Sequence, residues 1–102
     1  MQMGTGRKMV EALERRYILS SALAYKGCMG QFLVAIEEMS ELQKELCKVF
    51  RSKTNIEAIE EEIADVQIML WQLEMVFGED RIEKHVNDKL LRIETRIKEG
   101  TL

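Results

Sequence analysis

The chain has 102 residues, no proline and a net charge of −3 at neutral pH. That length holds one domain, spanning residues 1–102. The acidic balance argues against a nucleic-acid partner, which requires a basic face. Leucine, isoleucine, methionine, glutamate and lysine dominate, so the expected fold class is all-α. A helical domain this small buries a modest share of its surface and gains stability by association. Cys28 and Cys47 have neither a metal-ligand spacing nor the density of a disulfide framework, and read as reduced thiols of a cytoplasmic protein. No apolar run approaches the roughly 20 residues needed to cross a bilayer. The N-terminus lacks the apolar core of a signal peptide. The expectation is a soluble, cytoplasmic chain with no membrane partner.

Glycine divides the chain. Gly4 and Gly6 mark a flexible start over residues 1–6, Gly27 and Gly30 bracket a break, Gly78 marks another, and Gly100 ends the last helix. Four helical segments follow, Arg7–Lys26, Met29–Arg51, Asn55–Phe77 and Arg81–Glu99. Thr54 with Glu57 reads as a capping box opening the third, and Asp80 with Glu83 as one opening the fourth. The first segment is a packing helix with Arg7, Lys8, Glu11, Glu14 and Arg15 on its outer side. The second carries an apolar seam of Ala35, Met39, Leu42, Leu46 and Val49. The third carries a longer seam of Ile56, Ile59, Ile63, Val66, Leu70, Leu73 and Phe77. The fourth runs Ile82, Val86, Leu90, Ile93, Ile97. Such seams pack helices at shallow angles in a four-helix bundle.

The third segment also has a second stripe, Ala64, Ile68, Trp71 and Met75. A helix that is apolar on two sides is buried between layers, and the second layer is expected to be another subunit of a dimer or tetramer. Trp71 on that stripe reads as interface core. Glu62 and Asp65 lie on the arc between the two stripes, with Met69 and Gln72.

The acids stand out. Glu38 and Glu41 are three apart, as are Glu62 and Asp65, so each pair shares a helix face. Burying an unpartnered carboxylate costs several kcal/mol, and like charges at helical spacing add to it. No lysine or arginine lies on the Glu62/Asp65 arc to offset this. A divalent cation removes the conflict, and magnesium takes carboxylate oxygens, waters and substrate phosphates together. A di-iron bundle requires Glu-x-x-His on two helices. His85 is the only histidine and follows Ile82 by three, so that alternative fails. The plain alternative is a solvated acidic helix face.

Glu37-Glu38-x-x-Glu41 followed by Glu62-x-x-Asp65 resembles the EExxE…ExxD signature of the all-α nucleoside triphosphate pyrophosphohydrolases. Within them the chain is most similar to small, single-domain MazG-like proteins. The resemblance runs from Tyr25-Lys-Gly27 through Gln31 and both acidic stretches to Lys89–Ile97. It implies a four-helix module assembling as a homodimer or homotetramer. It also implies hydrolysis of an NTP or dNTP to a monophosphate and pyrophosphate, with magnesium as cofactor and manganese as a substitute. By resemblance Glu38, Glu41, Glu62 and Asp65 are the metal ligands, and Lys89 and Arg96 meet the phosphates. Ile93 stands where some relatives carry an asparagine.

Glu37 lies roughly 100° around the helix from Glu38, so it either supports a ligand or serves as the general base; Glu41 and Glu38 share the catalytic role. Gln31 is seven residues before Glu38 on the same face, a candidate for contact with base or ribose. Gln72, seven after Asp65, is a weaker one. Lys44 can pair with Glu41. Two rivals stand beside this reading. One is phosphoribosyl-ATP pyrophosphohydrolase, which shares fold and acids. The other is a non-enzymatic helical oligomerisation module.

Overall fold

Three helices account for the regular structure: α1, Ala12–Val49; α2, Ile56–Phe77; and α3, Glu79–Glu99. The structure, a computed structural model, describes residues 8–102, and no strand occurs among them. The expected flexible start lies outside the described residues. The all-α expectation holds.

α1 is one element interrupted once. Gly27 adopts φ 80 and ψ 157, a region that costs a side-chain-bearing residue about 1–3 kcal/mol. Nothing lies within 4 Å of where a Cβ would sit there, so backbone conformation alone accounts for glycine. Gly30, the other expected breaker, is helical. α1 begins at Ala12, later than the periodicity suggests, and its N-cap Glu11 is extended with no side-chain cap. Lys8 instead reaches Glu14 from outside the helix as an ion pair.

The other helix ends also differ from expectation. Asn55, not Thr54, caps α2, its Oδ1 accepting the Ala58 N–H at 3.0 Å. The Asp80 box does not form, because α3 already begins at Glu79. Gly78 alone joins α2 to α3 with φ 134, and Arg81 folds back to donate to the Phe77 carbonyl. A Cβ at Gly78 would approach the Arg81 guanidinium at 2.5 Å. Gly100 ends α3 in the left-handed conformation, with the Thr101 N–H on the Arg96 carbonyl at 2.9 Å.

The chain divides into two compact units, Met1–Gln72 and Leu73–Leu102. In the first, both parts of α1 meet α2. Leu19 precedes the Gly27 break, while Gln31 and Ala35 follow it; with Met69 and Gln72 of α2 they are the buried residues among those described. In the second unit α3 has no buried residue, and Val86, Leu90, Ile93 and Ile97 are exposed.

The face that α2 turns to α1 is a correction. The longer apolar seam predicts inward packing, yet Ile56, Ile63, Leu70 and Phe77 are exposed by between 44% and 63%, and Ile59, Val66 and Leu73 are only half-buried. The inward face is Glu62, Asp65, Met69 and Gln72, with Met69 and Gln72 the most buried residues of the helix. At about 100° per residue, that face lies roughly 120° from the seam. Ile68 and Trp71 of the other stripe line a cavity together with Ile18 and Leu19 of the first part of α1. Periodicity marks three faces on α2, and only the one with Met69 and Gln72 carries buried residues.

α1 bears on the expectation of no bilayer-length segment. Taken as one element it holds an 18-residue stretch of mean hydropathy 1.2, long and apolar enough by length and composition to cross a membrane. Gly27 breaks the helix within α1, and the buried amide of Gln31 follows four residues later. Both features are costly in hydrocarbon, where backbone and side-chain polar groups lack water.

Candidate metal centre

The register of α1 against α2 builds the site. Gln31 faces Gln72, and Glu38 faces Asp65. Each step is seven residues forward on α1 and seven back on α2, so the helices run antiparallel in one continuous register. Seven residues are close to two full turns, which returns both side chains to the shared face. Glu62, three residues before Asp65, joins them. Single carboxylate oxygens of Glu38, Glu62 and Asp65 lie within 4.8 Å of one another.

These acids disturb each other. The Glu38 carboxyl is pushed up from its usual value, first by loss of solvent and then by the charge and hydrogen bonding of Asp65, with Glu62 and Glu41 adding repulsion. The Glu62 carboxyl is raised for the same leading reason, followed by the charges of Asp65, Glu41, Glu45 and Glu61. Its Oε2 is buried and has no hydrogen-bond partner. An unpaired buried oxygen is uncommon in folded proteins. Arranged carboxylate oxygens without nitrogen or sulfur donors suit magnesium or manganese rather than zinc.

The expected residues fall into groups. Glu38, Glu62 and Asp65 come together. Glu41 is exposed and outside that trio, though its charge is felt by both Glu38 and Glu62. Glu37 is exposed on α1. The ion pair on this part of α1 is Glu45 with Lys48, at 2.9 Å, rather than Glu41 with Lys44. Lys89 and Arg96 are exposed on α3, within the second unit. His85 is exposed, and Cys28 and Cys47 are both free and exposed.

Gln31 is engaged in the fold: its Nε2 donates to Gln72 Oε1 at 2.6 Å, with both residues buried. Sequence reasoning undervalued Gln72, although its seven-residue offset from Asp65 mirrors that of Gln31 from Glu38. It also missed Arg15, placed there on the outer side. The Arg15 guanidinium lies 3.9 Å from the Trp71 ring centroid, at an apolar cavity of about 400 Å³ that Leu19 and Ile68 also line. No pattern of spacing signals a contact between residues 56 positions apart. The chain matches no family model, no curated protein and no solved structure.

Proposed function

We propose that this protein is a magnesium-dependent nucleotide pyrophosphohydrolase, cytoplasmic and oligomeric, that cleaves an NTP or dNTP to the monophosphate and pyrophosphate. The observation that carries the reading is the trio Glu38, Glu62 and Asp65, drawn from two helices, with the unpartnered Glu62 Oε2 in it. Glu38, Glu62 and Asp65 would hold the cation, with Glu41 beside them; manganese is the expected substitute. The bound ion supplies charge neutralisation at the phosphates and a more acidic water. In the reaction, water attacks phosphorus, a new P–O bond forms, and the bridging P–O bond between the α- and β-phosphates breaks as pyrophosphate leaves. The proton passes to a carboxylate free of the ion, Glu37 or Glu41. The MazG-like resemblance assigns Lys89 and Arg96 to phosphate charge.

The exposed seam of α2 supports assembly as a homodimer or homotetramer of four-helix modules. Large apolar residues repeat along it, and monomeric proteins rarely expose extended apolar patches. The same seam favours a second reading, an oligomerisation module whose acids do no chemistry. Pyrophosphate release from a panel of NTPs, dNTPs and phosphoribosyl-ATP, with magnesium, separates the two. Release lost in Glu38→Gln supports the enzyme, and the preferred substrate decides between the NTP and phosphoribosyl-ATP readings. No release from folded, oligomeric protein supports the module.

A further inference from the structure

Two of the five buried residues among those described are glutamines, and they hydrogen-bond to each other. A buried amide pair between two helices is expensive to misplace, since each group left without its partner loses its water and gains nothing in return. Such pairs fix which residue of one helix meets which residue of the next, as a single polar residue does in a coiled coil. The register they fix here is the one that sets Glu38 against Asp65.

Apolar contacts alone would leave that register loosely specified. Sliding α1 by one turn along α2 sets Gln72 against Ala35 or Cys28, and Asp65 against Leu42 or Ala35. The amides then lose each other and the acids separate. The connection between the helices, residues 50–55, closes on turns through Arg51, Ser52 and Lys53, and opening those turns can take up the roughly 5 Å of one helical turn while α1 stays intact.

We propose that the Gln31–Gln72 hydrogen bond is a register lock: a positioning pair that holds the carboxylates of α1 and α2 opposite one another without touching substrate. The lock itself stands on the helix geometry; its consequence for a cation rests on the metal reading above. Gln31 thereby leaves its expected role at base or ribose.

Paired nitroxides test it. One is placed on the exposed Cys47 and one on Gln67→Cys, in a Cys28→Ser background, with labelled chain diluted into unlabelled chain so that only distances within one chain are read. Distance distributions are recorded without metal by pulsed electron resonance, and manganese affinity is measured separately on unlabelled protein. The parent should give one narrow distance. Gln31→Leu/Gln72→Leu should keep its helical circular dichroism, gain a population displaced by about 5 Å, one helical turn, and bind manganese at least tenfold more weakly. A double variant that keeps the single parental distance overturns the lock, whatever its affinity for manganese. Displacement in the variant, with no manganese bound by the parent, upholds the lock and sinks the metal reading. If the leucine pair unfolds, Gln31→Met/Gln72→Met is read in the same way; unfolding of both overturns the proposal, because the pair then carries stability rather than register.

Discussion

Glu38 and Asp65 face each other across α1 and α2 with carboxylate oxygens within 4.8 Å, and among the described residues no basic side chain is paired to either. This arrangement opposes folding in the absence of a cation and favours binding of one. Magnesium should therefore raise the melting temperature. At a concentration 100-fold above its dissociation constant it would stabilise by about 2.7 kcal/mol. Asp65→Asn should melt higher than the parent without metal and respond little to magnesium. Thermal denaturation with and without magnesium checks both. A parent that ignores the ion would remove the metal site.

The raised carboxyls fix the sign of a pH effect. Glu38 and Glu62 hold protons more tightly in the folded chain than the ordinary value of 4.5. The folded state thus binds more protons than the unfolded one, and stability falls as pH rises from 4.5 through the raised values. Urea midpoints of the metal-free protein should decline over that range, and Glu38→Gln/Glu62→Gln should flatten the decline. A midpoint that rises instead would contradict raised carboxyls, whether by loss of solvent or by mutual repulsion.

Much of this architecture is legible from spacing. The glycines at 27, 78 and 100 mark real breaks because each takes a positive φ that other residues resist. The Glu62/Asp65 pair is legible because three-residue spacing puts both on one face, whereas the same spacing leaves Glu41 outside the trio that Glu38 joins. The partner of each α2 face is not, because periodicity locates apolar arcs without naming what covers them. On the longest arc Ile56, Ile63 and Leu70 stay exposed and Ile59 and Val66 are only half-buried, while the weaker one with Met69 and Gln72 turns inward. Arg15 on Trp71 escapes for another reason: a guanidinium reads as solvent-facing until an aromatic ring is placed beneath it.

The two glycines near the break in α1 should behave oppositely. Gly27→Ala forces a Cβ into φ 80 and should destabilise by about 1–3 kcal/mol. Gly30→Ala meets only the Lys26 Cβ at an ordinary 3.6 Å and should be neutral or stabilise by up to about 1 kcal/mol. Chemical denaturation of the two variants decides it. Equal effects would mean that α1 runs unbroken through Gly27.

Capping of α2 offers a sharp comparison of neighbours. Asn55 Oδ1 accepts the Ala58 N–H, and Asn55→Ala should cost about 1 kcal/mol. Thr54→Ala should cost little, since Thr54 makes no capping bond among the described residues. The opposite ranking in chemical denaturation would restore Thr54 as the cap.

The open seam of α2 gives the last prediction. Leu70 is exposed midway along it, with Ile63 one heptad before and Phe77 one heptad after. Ile63, Val66 and Leu70 follow one another at three- and four-residue steps and form one strip, which a partner helix laid on it would remove from water. Leu70→Glu places a charge at its centre, where an unpaired carboxylate opposes burial by several kcal/mol. Leu70 lies outside the Glu62, Asp65 and Gln72 face, so within one chain the substitution should leave helicity near the parental level. Sedimentation should show the parent as a dimer or tetramer whose melting temperature rises with protein concentration, and Leu70→Glu shifted toward monomer with that dependence weakened. Parent and variant sedimenting alike as oligomers would move the interface to another face. A parent that sediments as a monomer would leave the seam without a partner and end the oligomeric reading.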